Sequence, residues 1–184
     1  MERNIENLNI LDKFCLDFIE VVEKHSEYII VSGYVAISSG RTRGTEDIDM
    51  IIPRLSKERF VNLHSELGKD FVCIQSDDPH MIYDYLNDNV SVRYTRKDQP
   101  LPEMELKFSK DELDQYQLKT KTKLPLTGLD IWFSNINVNI AFKEHLLKSQ
   151  KDMDDALHLR RVYDELVNES EIAKVRKLID RCRL

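Results

Sequence analysis

Cysteine is scarce in this chain of 184 residues. There are three, Cys15, Cys73 and Cys182, with no CxxC spacing and no even set to pair. That argues against a disulfide framework and predicts a reduced, cytoplasmic protein. Long apolar runs are missing too. None approaches the roughly 20 residues needed to span a bilayer, so no membrane partner is expected. The charged start MERNIENLN predicts no signal peptide. Net positive charge is also absent. A formal charge of -6 excludes a global basic field, so any nucleic-acid partner would need a local patch. The five histidines show no metal-ligand spacing, and no Ser/His/Asp order can be defended. Repeats and low-complexity segments are lacking.

What is present is ordinary for one globular domain: 41% hydrophobic and 33% charged residues. A chain of this length buries a sizeable core without staples. Residues 5 to 24 read as an amphipathic helix, with Ile5, Leu8, Leu11, Cys15, Phe18 and Val22 at helical spacing. Strands are expected at Tyr28 to Val31, Asp47 to Ile52, Phe71 to Ile74, Val90 to Tyr94, Met104 to Phe108 and Leu129 to Phe133. Helical turns begin at Ser32-Gly33 and cover Tyr34 to Ser39. Ser56 caps a helix that runs to about Leu67 and stops at Gly68. The stretch between the third and fourth strands is ambiguous, and Asp111 to Leu118 reads as a short helix. From Ile136 onward the pattern is helical, with a break near Asn168-Glu169-Ser170. The expected class is α+β: a mixed sheet with helices on one face over residues 1–135, then a helical tail over 136–184 packed on it.

The stretch VSGYVAISSGRTRGTEDIDMII, residues 31 to 52, carries most of the chemistry. Aspartate is a poor strand former, yet the strand closing this stretch holds Asp47 and Asp49. Alternation puts both on one face and Ile48, Met50 and Ile52 on the other. Two like charges ~4 Å apart repel by about 4 kcal/mol at an effective dielectric near 20. Such a pair makes sense beside a cation, and Mg²⁺ takes one or two protein carboxylates plus phosphate and water. Upstream, an apolar strand breaks at Ser32-Gly33, where glycine permits close approach of a ligand. Arg41, Arg43 and Thr45 follow, residue types that pair with phosphate.

Ser32-Gly33-Tyr34-Val35-Ala36 followed by Arg43-Gly44-Thr45-Glu46-Asp47-Ile48-Asp49 resembles the polymerase-beta-type nucleotidyltransferase superfamily. The nearest branch looks like the minimal, toxin-related AbiEii-like group. The resemblance implies a nucleotidyltransferase that binds ATP or another nucleoside triphosphate through Mg²⁺ or Mn²⁺ in a two-ion site held by Asp47 and Asp49. It implies phosphate contacts at the Ser32-Gly33 turn and a third carboxylate on a later strand. Glu105 in PEMELKF is the best candidate, because Glu103, Glu105 and Lys107 share the face opposite Met104, Leu106 and Phe108. Asp130 in GLDIWF is the rival. The family turn is usually Gly-Ser or Gly-Gly, whereas here bulky Tyr34 follows Gly33. Two readings stay open: Ser32 supplies the missing hydroxyl, or Tyr34 stacks on a base or closes the pocket.

Ile136, Ile140, Lys143 and Leu147 form one helical stripe, and Asp152, Ala156, Leu159 and Tyr163 another. Charges on such stripes are expensive unless paired. AFKEHLLKSQKDMDDALHL also resembles the Lys-helix and KDxxD segment of the AbiEii-like group. By that resemblance Lys143 neutralises nucleotide phosphates and Asp152 lies near the active centre. Lys148, Lys151, Asp154 and Asp155 read as a solvated face. Lys119, Lys121 and Lys123 read as guards of an edge strand, with a grip on a polynucleotide as the second option. The functional expectation is transfer of a nucleoside monophosphate to a hydroxyl of a tRNA end, a protein or a small molecule, with pyrophosphate released. The alternatives are a non-catalytic nucleotide-binding module and the toxin of a toxin–antitoxin pair, the latter with an antitoxin as partner.

Overall fold

The computed structural model describes residues 8–184. Helix α1 spans Ile10–Val22. It starts later than its apolar spacing suggests because Asn9 and Asp12 form a reciprocal capping box around its first turn. Ile5, the first residue of the expected stripe, lies outside the described residues. Strand β1 (Ile29–Val31) turns directly into α2 (Gly33–Ser38), and β2 covers Asp47–Ile52. Helix α3 (Lys57–Leu67) is capped by Ser56, whose hydroxyl accepts from the Arg59 N–H. Next come β3 (Phe71–Cys73), α4 (Pro79–Asn87), β4 (Val92–Arg96), β5 (Gln99–Phe108) and α5 (Glu112–Lys119). Helix α4 fills the stretch left ambiguous. Its signal was present: Asp78 caps it and Pro79 stands at its first turn.

Among the described residues five strands form one mixed sheet in the order β1-β2-β5-β4-β3. Only the central pair, β2 and β5, is parallel. One face is the main core. Ile48, Met50, Ile52, Met104, Leu106 and Phe108 meet Phe14, Phe18 and Val22 of α1, Phe60 and Leu63 of α3, and Ile82 and Leu86 of α4. Aromatic edges lock this layer, with Phe18 and Phe71 centroids 5.0 Å apart at 74°. The expected strand at Leu129–Phe133 does not form. Phe133 makes only single bridges, to Ile30 and to Thr122, so this segment is a loop laid along the outer edge of β1.

The C-terminal helices are α6 (Ile136–Ala141), α7 (Gln150–Val162) and α8 (Glu169–Arg183). Their buried residues Ile136, Ile140, Leu159, Val175 and Ile179 belong to the same apolar cluster as the sheet. Helix α6 runs straight into a π-helical stretch, Phe142–Leu147, stopped by Lys148 at φ 58°. The wider π turn shifts the helical phase. Lys143 is consequently 1% exposed and Leu147 49% exposed, so the expected stripe through both does not hold. Among the described residues no helix is long and apolar enough to cross a membrane.

Candidate active site

The second sheet face carries the acids. Alternation along β2 leaves Ile48, Met50 and Ile52 buried, with Asp47 exposed and Asp49 partly exposed on the opposite side. In the parallel register Asp47 stands opposite Glu103, Asp49 opposite Glu105 and Ile51 opposite Lys107. Four carboxylates thus share one open surface on adjacent strands about 4.8 Å apart. Two charges at that spacing repel by roughly 3 kcal/mol at an effective dielectric near 20. Two cations offset this. Lys107 Nζ lies 3.1 Å from Asp49 Oδ1 and 4.0 Å from Glu105 Oε1. Arg93 on β4 stands 3.6 Å from both Glu103 and Glu105. Four negative groups and two positive ones leave the patch a formal charge of -2.

Thr45 donates its hydroxyl to Asp47 Oδ1 at 2.7 Å and fixes that carboxylate at the mouth of β2. Asp130, the rival third acid, is 97% exposed in its loop and pairs with Lys123, away from this face. Among the described residues no group of three or more His, Cys, Asp or Glu side chains is arranged to hold a metal. Asp49 is drawn to Lys107, Glu105 and Glu103 toward Arg93, and Asp47 toward Thr45. The donor set itself suits a hard divalent ion: carboxylate oxygens, surplus negative charge, and a cationic group already spanning Asp49 and Glu105.

Beside this patch opens a cleft of about 280 Å³. Its sheet wall is Val31, Asp49, Ile51 and Lys107, its opposite wall Asn139, Phe142, Lys143 and Leu146, and Ser32 lies at the strand–helix turn. Asp47 and Glu105 flank the cleft on the same sheet face without lining it. Ser32 has φ 66° and ψ -136°, a conformation that L residues rarely adopt. Strain of this kind costs about 1–3 kcal/mol and persists where the surroundings enforce it. At the inner end Asp114 and Gln117 from α5 meet Arg183 from the end of α8. The Arg183 guanidinium binds Asp111 and lies 2.7 Å from Asp114 Oδ1. Burial raises the Asp114 carboxyl above the usual carboxylate range.

Several expected site residues point elsewhere. Tyr34 neither stacks in the cleft nor closes it. Its ring is fully buried and its hydroxyl donates to Asp12 Oδ1 on α1 at 2.6 Å. Arg41 and Arg43 do not line the cleft either. Both reach behind the turn to Asp155, Arg41 Nε at 2.8 Å and Arg43 Nη2 at 3.1 Å. The Arg43 guanidinium lies so close over Gly33 that a Cβ there would sit 2.2 Å from Nη2, so any larger residue at this position forces the guanidinium to shift. Arg43 Nε and Nη1 are buried and find no hydrogen-bond partner among the described residues. Lys143 completes the cluster, 2.9 Å from Asp155 Oδ2 and 3.7 Å from Asp152 Oδ1. Asp152 occupies the first turn of α7, where its backbone N–H donates to the capping Ser149.

Asp155 is therefore not on a solvated face: it is 0% exposed and holds three cations. A signal for it existed. Asp155 lies three residues after Asp152 and four before Leu159, on the inward stripe itself. Asp154, by contrast, is half exposed and reaches Arg41 at 3.3 Å.

No protein-family model matches the chain, and no curated protein matches its sequence. Its shape is informative: the fold is that of nucleotidyltransferase-like proteins. One solved structure of that kind is an antigenic nucleotidyltransferase-like protein from Paracoccidioides brasiliensis. It is 17% identical with a TM-score of 0.54 over 92% of this chain and 87% of that one. Another is the antibiotic-resistance factor ANT(2'')-Ia, 12% identical with a TM-score of 0.54 over 92% of this chain and 90% of that one. At these identities the likeness is one of fold.

Proposed function

We propose that this protein is a divalent-metal-dependent nucleotidyltransferase that moves a nucleoside monophosphate from a nucleoside triphosphate to an acceptor hydroxyl. The observation that carries this reading is the Asp49–Glu105 pair, in register across the parallel strands β2 and β5, at the side of a cleft walled by Ser32, Lys107 and Lys143. The nucleotidyltransferase-like fold of the two structural neighbours supports it.

Asp47, Asp49 and Glu105 would hold Mg²⁺ or Mn²⁺, which when bound neutralises the triphosphate and lowers the pKa of the attacking hydroxyl. The triphosphate lies along the cleft. Ser32 offers its hydroxyl to a phosphate oxygen, the ammonium of Lys107 faces the same charge, and Lys143 forms part of the cleft wall while its ammonium is held by Asp155. The acceptor oxygen attacks the α-phosphorus as the bond to the bridging β-oxygen breaks and pyrophosphate leaves. Glu105 Oε takes the hydroxyl proton. Positioning and charge neutralisation supply most of the rate. Asp155 keeps Lys143 in the cleft wall and does not touch substrate.

The test is incubation with Mg²⁺ or Mn²⁺ and each α-labelled triphosphate, with RNA, protein extract and small hydroxyl compounds as acceptors. Labelled product with pyrophosphate release is expected. Asp49→Asn and Glu105→Gln should each lower it at least about 100-fold. Transfer that survives Asp49→Asn refutes the assignment, and free phosphate as product indicates hydrolysis instead.

A further inference from the structure

We propose that Lys107 is a built-in counter-ion of the carboxylate pair, displaced into the cleft when a divalent cation loads. This rests on the metal-binding reading of Asp49 and Glu105 given above. Lys107 reaches the acids because of strand alternation: it is two residues after Glu105, on the same face, and one register step beyond the Asp49–Glu105 pair. Its Nζ lies 3.1 Å from Asp49 and 4.0 Å from Glu105.

Among the described residues these two acids are its ionic partners, and Lys107 is the one cation within ion-pair distance of Asp49. Arg93 serves only the glutamates, from the β4 side. A divalent ion that bridges Asp49 Oδ1 and Glu105 Oε1 would therefore take the position of this ammonium. The exchange is physically easy. The lysine side chain is 33% exposed against 18% and 19% for its partners, and its stem has four rotatable bonds. Lys107 also lines the cleft together with Lys143. Once displaced it stays beside the path of a triphosphate, so metal loading would deliver an ammonium to the substrate charge. In the metal-free protein the same group keeps two adjacent acids from repelling.

The experiment titrates Mn²⁺ into wild type, Lys107→Met, Lys107→Gln and Lys107→Arg by calorimetry, with Asp49→Asn as the control. Thermal unfolding of each is followed with and without Mn²⁺. Removing the competing charge should tighten Mn²⁺ binding on the order of tenfold in both neutral variants. Lys107→Arg should stay near wild type. The metal-free neutral variants should melt below wild type, and Mn²⁺ should raise their Tm by more than it raises that of wild type. A lysine with a merely structural role would lower Tm without changing Mn²⁺ affinity. Saturable binding in wild type that neither neutral variant tightens overturns the proposal alone. Absence of any Mn²⁺ binding sensitive to Asp49→Asn overturns the metal reading, and the proposal with it.

Discussion

Removal of the Asp155 carboxylate should be among the most damaging single changes in this protein. The side chain is 0% exposed and accepts from Arg41 Nε at 2.8 Å, pairs with Arg43 Nη2 at 3.1 Å and accepts from Lys143 Nζ at 2.9 Å. In Asp155→Ala, Arg43 loses its ion-pair partner while two of its nitrogens already lack one. Lys143, 1% exposed, keeps only Asp152 at 3.7 Å, and Arg41 keeps Asp154 at 3.3 Å. Deleting one member of a buried ion pair costs about 3–5 kcal/mol, because the remaining charge stays buried. In a chain of this size 1 kcal/mol moves Tm by about 2–4 °C. A fall on the order of 10 °C is expected by thermal unfolding, with a matching drop in urea midpoint. Adding Lys143→Met to Asp155→Ala should restore part of the loss, since the stranded ammonium disappears. A cost below about 1 kcal/mol for Asp155→Ala, or a double variant no more stable than the single one, refutes the reasoning.

Ser32→Gly should stabilise by about 1 kcal/mol in urea unfolding, because φ 66° costs glycine nothing; a loss instead would show that the hydroxyl outweighs the strain. Tyr34→Phe should cost about 1–2 kcal/mol through the lost bond to buried Asp12 and leave nucleotide Kd unchanged; weaker binding at unchanged Tm would restore Tyr34 to the cleft. Glu144 is held below its ordinary 4.5 by hydrogen bonds from Arg160, then by Arg176. It therefore contributes stability above about pH 4.5 that is lost as pH falls through its lower folded value. Wild type should exceed Glu144→Gln by about 2 kcal/mol at neutral pH, and the gap measured by urea unfolding should narrow as the pH is taken progressively below 4.5.

The carboxylate strand was legible from local pattern alone. A period of two assigns Asp47 and Asp49 to one face whatever the strand pairs with, and Ser56 and Gly68 bracket α3 by cap chemistry. The face of Glu105 followed in the same way. Its position did not, because nothing local says which residue of β2 lies beside it: the parallel pairing joins segments more than fifty residues apart. Tyr34 was misread because the side chain after a tight turn goes wherever space and a partner exist, and here those are on α1. Asp155 lies on the inward stripe of α7, and its burial was not legible because the three cations that pair with it come from distant parts of the chain.

By itself, then, the amino-acid order determined the elements with short-range causes: caps, alternation, and the cluster of acids and arginines around one turn. It also determined that these acids need a positive neighbour, since like charges on adjacent pleats repel. Which positive group answers that need was decided only by the assembled molecule. Lys107 comes from the neighbouring strand to the acids, whereas both arginines of the turn go behind it to a carboxylate more than a hundred residues away. Long side chains choose partners by distance in space, and no spacing rule along the chain encodes that distance.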